Sequence, residues 1–478
     1  MQSNQISSRS PQLERQLGFY EKFRIVLHDL GYYNNVSIIA RYSHGVERLR
    51  SWPNAIFHAF CHAIQEHPAL GVTVTRDEKQ DLYFQRLGSV NLEQVVKFEE
   101  IPGDQKEQER RLIALSAEEN NRGFDKTPGK PMWRAVVLTP SGRSDSHSFH
   151  IAFFWHHVIG DGRSGLAVHQ SLLEGLASFG RELDCRTNRP SDDIDITRIP
   201  VSTKAFFISM EQALPNVSVP PPTPPISDCE KWTGGTFNFR QPTVTQLADI
   251  RLPADVVRHV VETCRKHNTT VTALLQAVMG KAVLANVSLD RIRTAVAVSL
   301  RRFFTPPVDD SVMGLWISVY TTEYHRSQFD QKSKASAATL LWQRSQENTA
   351  QINRVIADGG KHVEIMSLMA VDDYESAVKS RADQPRDNSF GLTNLGVFKS
   401  PPQTSGLKEL AIDDMVFSQS AHANGAAFTI CVVSVQGGDM NMVFNYQEGV
   451  VSQEKMTAIV DTVQKCLLDL SSDGVGRV

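Results

Sequence analysis

The segment FFWHHVIGDGRSG, residues 153–165, constrains this chain more than any other, because an apolar run ends in adjacent histidines, turns through glycines and restarts as a helix. Side chains alternate along an extended strand, so only one of His156 and His157 can enter a given cleft while the other faces away. Gly160 and Gly162 are expected to supply positive-φ freedom for a tight turn, with Asp161 placed to fix the local geometry. A histidine held at a strand end suits general-base catalysis, since a free imidazole titrates at about 6.5.

Other readings of these residues are weaker. No G-x-S-x-G elbow occurs anywhere in the chain, so a serine hydrolase lacks its nucleophile. Gly160, Gly162 and Gly165 spell G-x-G-x-x-G, but FGRELDC offers Glu182 and Asp184 without the Val/Ile-rich strand that a dinucleotide-binding unit needs before its acidic residue. His58, Cys61 and His62 share a helical spacing without a clear fourth ligand, and the neighbouring Phe57, Phe60 and Ile64 read as a core stripe, so no metal is expected.

Residues 1–184 alternate helix-like and strand-like segments. Helices are expected at 46–66, 104–120 and 164–178, and strands at 70–74, 82–87, 132–138 and 148–155. PSGRSDS reads as the turn between the last two strands. In the 148–155 segment Phe149, Ile151, Phe153 and Trp155 fall on one face while Ala152 and Phe154 fill the other, the pattern of a central strand covered on both sides. Residues 185–230 are Pro-rich, culminating in VPPPTPPIS at 219–227, and read as a linker. The 231–478 segment resumes with strands at 250–252, 294–300, 314–323, 390–398, 427–436 and 440–446 and helices at 254–267, 270–286 and 452–470. Met366 and Met369 in IMSLM read as core or cleft residues.

Composition excludes several functions. Fifty Lys and Arg against 53 Asp and Glu give a net charge of −3 without a basic block, so nucleic acid is not an expected partner. No apolar run reaches the ~18 residues of a membrane span. The N-terminal segment lacks an apolar signal core, and the six cysteines are dispersed, so a cytoplasmic protein without a disulfide framework is expected.

The H-H-x-x-x-D-G string of His156, His157, Asp161 and Gly162 resembles the signature of the acyltransferase superfamily that includes chloramphenicol acetyltransferase, plant BAHD enzymes, condensation domains and fungal alcohol O-acetyltransferases. The blocks LERQLGFYEKFRIVLHDLGYYNNVSIIARY, IQEHPALGVTV, PMWRAVVL, LRRFF and FGLTNLGVF look most like the alcohol acetyltransferase branch. The resemblance implies an α/β fold of two chloramphenicol-acetyltransferase-like sandwich halves forming a pseudo-dimer with a tunnel between them. It also implies a monomeric O-acyltransferase with no permanently bound cofactor, moving an acetyl or short acyl group from acetyl-CoA or another acyl-CoA donor to a small-molecule alcohol acceptor. The acceptor would be hydrophobic and belong to secondary metabolism, and 23 Phe would suit an apolar tunnel. His157 matches the catalytic base and His156 its structural partner. Asp161 matches a residue paired with an arginine of the second half, here Arg301 or Arg302, and Gly162 one that leaves room for the donor. Ser318, Asn394 and backbone N–H groups near Gly162 are candidate oxyanion donors. The sequence lacks the D-F-G-W-G string of BAHD enzymes, and Trp316 stands where relatives carry Asn. Condensation with an amine or a carrier-bound thioester, and a non-acylating binding protein or cyclase, are the alternatives.

Overall fold

The computed structural model describes residues 12–43, 52–125, 129–141, 148–185, 197–214, 231–237, 243–329, 334–359, 364–400 and 410–472. One five-stranded sheet has the order Ala411–Gln419, Val36–Ser43, Ser148–Trp155, Trp133–Pro140, Val96–Ile101. A six-stranded sheet has the order Thr245–Leu252, Met440–Gln447, Phe428–Val435, Phe390–Phe398, Arg291–Ser299, Ile317–His325.

The Ser148–Trp155 strand is central because both of its side-chain rows are largely apolar and buried, His150 included. Phe149, Ile151, Phe153 and Trp155 pack with Phe60 of the helix Trp52–Glu66 and Leu172 of the helix Gly162–Cys185. Ala152 and Phe154 pack on the other side with Leu112 and Leu115 of the helix Gln105–Asn120. Both neighbours of this strand run antiparallel to it. The parallel neighbour of a dinucleotide-binding unit is therefore missing beside it, and the glycine triplet does another job.

The two sheets are joined by a strand from late in the chain. Ala411–Gln419 pairs with Val36–Ser43, placing Met415 opposite Ala40. Asn441 of the six-stranded sheet donates to Asp414 Oδ1 at 2.8 Å and to the Met415 carbonyl at 2.7 Å, and Gln419 N–H donates to Asn445 Oδ1 at 3.0 Å. These bonds satisfy polar groups that the junction buries.

Most expected elements lie within a few residues of their places. The strand expected at 70–74 starts at Val72, because Pro68 opens a 3₁₀ turn through Gly71. In the Pro-rich span, Arg198–Pro200 pairs with Ser89–Asn91, and Phe207, Met210 and Leu214 are buried in the core. VPPPTPPIS, residues 46–51 of the expected first helix and most of the PSGRSDS turn fall outside the described residues.

Candidate active site

The Ser148–Trp155 strand delivers the two histidines to opposite sides of its end. Trp155 Nε1 donates to the Gly160 carbonyl at 2.9 Å, and the His157 ring contacts the same oxygen through Nδ1 at 3.0 Å. A carbonyl only accepts, so Nδ1 of His157 carries the proton and Nε2 keeps its lone pair. Burial, followed by the positive charge of Arg24, holds His157 well below the usual imidazole value. The ring is neutral at neutral pH.

His157 lines a cavity of about 410 Å³. Its walls come from the helix Phe19–Asp29, the six-stranded sheet, the Glu364–Ala370 turn and the loop around His422. Phe23, Leu27, Ile317, Val319, Leu368 and Leu392 make much of this surface apolar. His156 turns away: its Nδ1 accepts from Val158 N–H at 3.0 Å, and its ring lies 4.6 Å from that of His28 beside a separate cavity of about 160 Å³.

Asp161 is fully buried and meets Arg301, whose Nη1 donates to Oδ2 at 2.6 Å and Nη2 to Oδ1 at 3.1 Å. Arg302 is exposed, so the geometry selects Arg301 from the pair. Ser164 N–H and Trp316 N–H also donate to the Asp161 carboxylate, each at 3.2 Å. The carboxylate thus ties the histidine turn to the 301–316 segment and is saturated by structural partners.

The glycines of the turn work by size rather than by left-handed backbone. None of Gly160, Gly162 and Gly165 lies in the left-handed region, and Gly160 is extended at φ 175°. A Cβ on Gly160 would lie 2.6 Å from Ser164 Cβ, one on Gly162 2.6 Å from Leu395 Cδ2, and one on Gly165 2.4 Å from the Trp155 ring. The positive-φ expectation is corrected: the turn needs glycine because chain and side chains approach too closely for a methyl group.

The remaining sequence candidates lie apart from the cavity wall. Ser318 is buried, and its hydroxyl accepts from Ile365 N–H at 3.3 Å while neighbours Ile317 and Val319 line the cavity. Asn394 donates to Thr272 Oγ1 at 3.0 Å and accepts from Gly396 N–H at 2.9 Å, at a register shift where Gly396 has φ +78°. Trp316 is buried between Phe207, Phe304 and the Arg301 guanidinium, with Nε1 donating to the Ile208 carbonyl at 3.0 Å. All three side chains serve as packing or turn-forming groups here. Met366 is buried, whereas Met369 is exposed. His58 Nδ1 lies 3.2 Å from the Gly175 carbonyl and His62 faces Glu174 at 3.7 Å, so the HAFCH side chains go to separate partners. Among the described residues no group of three His, Cys, Asp or Glu is arranged to hold a metal ion. Cys61, Cys264, Cys431 and Cys466 are free thiols.

Sequence reasoning missed two residues that line the cavity, Arg24 and His422, and Tyr33, which packs behind them. The Arg24 guanidinium is 7 % exposed, lies 4.8 Å from the Tyr20 ring centre and 5.1 Å from that of Tyr33, and bonds the Tyr20 hydroxyl. Tyr33 sits between the two cavity imidazoles, with ring centres 5.6 Å from His157 and 4.2 Å from His422. His422 is itself held well below the usual imidazole value by burial, with Arg24, His157 and Arg386 adding to the effect. The only available signal was the block resemblance around LERQLGFYEKFRIVLHDLGYY, which contains Arg24 and Tyr33.

Two interlocked sheets thus present a neutral strand-end imidazole to a cavity, with an Asp–Arg pair locking its turn. The alcohol acetyltransferase family profile matches residues 104–467, and the chain belongs to that family. It is 26 % identical, over 94 % of its length and 98 % of the relative's, to the probable alcohol acetyltransferase crmB of Aspergillus fumigatus. Its fold matches the trichothecene 15-O-acetyltransferase TRI3 of Fusarium sporotrichioides, with TM-score 0.67 and 12 % identity over 96 % of this chain and 95 % of that one. It also matches the starter condensation domain of rhizomide synthetase solved with C8-CoA, with TM-score 0.57 and 11 % identity over 96 % of this chain and 95 % of that one.

Proposed function

We propose that this protein is an O-acyltransferase that moves an acetyl or short acyl group from a CoA thioester to the hydroxyl of a small hydrophobic molecule of secondary metabolism. The observation that carries the reading is the His157 tautomer: Nδ1–H is committed to the Gly160 carbonyl, leaving the Nε2 lone pair on a ring that lines the 410 Å³ cavity. Nε2 takes the acceptor's hydroxyl proton as that oxygen attacks the thioester carbonyl. The tetrahedral intermediate then collapses by breaking its C–S bond, and His157 returns the proton to the departing sulfur, giving ester and free CoA. No covalent enzyme intermediate is needed. Preorganised N–H donors stabilise the oxyanion, and because Ser318, Asn394 and the Ser164 N–H are engaged elsewhere, we assign this role to the remaining backbone N–H groups near Gly162. Asp161 and Arg301 position the turn and move no proton.

Acyl-CoA is thus a cosubstrate rather than a resident cofactor. The CoA-bound condensation domain of similar fold and the family membership support this donor. Among the described residues no helix is long and apolar enough to cross a membrane. We read the protein as a cytoplasmic monomer. Calorimetric titration with coenzyme A and acetyl-CoA tests the donor: saturable binding at one site per chain is expected, and no binding into the millimolar range would overturn the CoA assignment.

A further inference from the structure

The cavity has a polar corner that the acyl-transfer mechanism does not use. His422, Asn388 and Asn424 all line it. Several other polar groups on the wall are engaged: Gln419 Oε1 accepts from the Tyr33 hydroxyl at 2.9 Å, Asp387 pairs with Arg381 at 3.0 Å, and Glu364 accepts from Thr321 Oγ1 at 2.6 Å. Arg24 bonds the Tyr20 hydroxyl through Nη2, while its Nε and Nη1 have no hydrogen-bond partner among the described residues. Oδ1 of Asn388 and Oδ1 of Asn424 are also buried without a hydrogen-bond partner. Neither ring nitrogen of His422 has a hydrogen bond among the described residues, and its ring lies against that of Tyr33, tilted by 37° with ring centres 4.2 Å apart.

The corner is also rigidly built. Arg386, 3 % exposed, donates through Nη1 to the His422 carbonyl at 3.0 Å and the Gly425 carbonyl at 3.2 Å, and through Nη2 to Gln447 Oε1 at 2.8 Å. Ala421 N–H donates to Thr245 Oγ1 at 2.9 Å, and Ala423 N–H to the Tyr32 carbonyl at 3.1 Å. Both flanks of His422 are therefore pinned while its imidazole faces the space shared with His157. Buried polar groups with unmet hydrogen bonds beside a cavity are costly unless water or a ligand supplies the partner, and a ligand hydroxyl that replaces such a water keeps its bonds.

Resting on the acyltransferase reading, we propose that His422, Asn388 and Asn424 form a polar subsite for a second hydroxyl on the acceptor, whose O–H can donate to an orphaned amide oxygen. The substrate class is then a hydrophobic alcohol carrying at least two hydroxyls, not a monofunctional alcohol. The apolar wall takes the carbon body, His157 takes the reacting hydroxyl, and the subsite reads the other oxygen. A site built to hydrogen-bond a substrate group discriminates strongly against the analogue that lacks it.

The test compares acetyl transfer to octan-1-ol with transfer to a set of octanediols in which the second hydroxyl is walked along the chain. Wild type is expected to favour at least one diol by ~10-fold or more in kcat/KM. His422→Phe should bring that ratio close to one, whereas His422→Gln, which keeps a donor and an acceptor, should retain most of it. Asn388→Leu gives an independent reading if His422→Phe melts early. Equal kcat/KM for the mono-ol and every diol in wild type, or an undiminished ratio in His422→Phe, would overturn the subsite. If no alcohol is acylated, calorimetry of the same alcohols separates the two ideas. A diol preference in binding that His422→Phe abolishes keeps the subsite and counts against acyl transfer, and no preference in binding overturns the subsite itself.

Discussion

Asp161 and Arg301 form a two-point ion pair, 2.6 Å and 3.1 Å, in which neither side chain is more than 2 % exposed. The pair connects the turn after the Ser148–Trp155 strand to the segment after the Arg291–Ser299 strand of the other sheet. Breaking a buried pair by removing one partner strands the other charge, at a cost of ~3–5 kcal/mol. Asp161→Ala and Arg301→Ala are both expected to lower the melting temperature and kcat/KM together. A fully stable, fully active Asp161→Ala enzyme would contradict an orienting role.

Gly162 lets the turn approach Leu395 and Phe417. Gly162→Ala would place its Cβ 2.6 Å from Leu395 Cδ2 and 3.1 Å from Phe417 Cζ, overpacking that costs ~1–3 kcal/mol. Leu395→Ala in the same chain removes the nearer clash, so the double variant should recover part of the loss. Additive destabilisation in a denaturant double-mutant cycle would show that the contact does not limit the turn.

Asn394 separates a turn-forming role from a catalytic one. Asn394→Ala loses the bonds to Thr272 and Gly396 and should cost ~1 kcal/mol in urea unfolding, with less than ~10-fold change in kcat/KM. A loss of ~10²-fold or more without destabilisation would restore Asn394 as an oxyanion donor.

Buried neutral histidines set the sign of the pH dependence. Burial pushes His67 and His169 down to about 4 and His150 to about 3. An unfolded imidazole titrates at about 6.5, so between these values the unfolded chain binds protons that the folded chain does not. Stability is therefore complete above about pH 6.5 and falls as pH drops toward about 4. Glu21, Asp249 and Asp414, whose values burial raises, act with the opposite sign. His67→Gln removes one of the histidines and should flatten the stability-versus-pH slope by about one proton between pH 6.5 and 4. An unchanged slope would mean that His67 does not contribute.

The fold was legible where side-chain periodicity is unambiguous. Phe149, Ile151, Phe153 and Trp155 against Ala152 and Phe154 marked a central strand, and alternation separated the roles of His156 and His157. Asp161–Arg301 followed from the resemblance, with the structure choosing Arg301 over exposed Arg302. Spatial crowding was not legible: the glycines looked like turn glycines, whereas the obstacles to a Cβ include Leu395 and Phe417, more than 200 residues away. Nor was His422, which lies among the small residues AHANGAA with no strand or helix period. The strand Ala411–Gln419 crosses to the sheet carrying His157, and its partner strand Val36–Ser43 is far away in sequence, so no local pattern announced it.

The most direct test of the account is acetyl transfer from labelled acetyl-CoA to apolar diols, measured side by side for wild type and His157→Ala with melting curves for both. The expected result is transfer by wild type and a loss of ~10²- to 10⁴-fold in the variant at unchanged melting temperature. Equal turnover by a folded His157→Ala protein would contradict the assignment of Nε2 as the base.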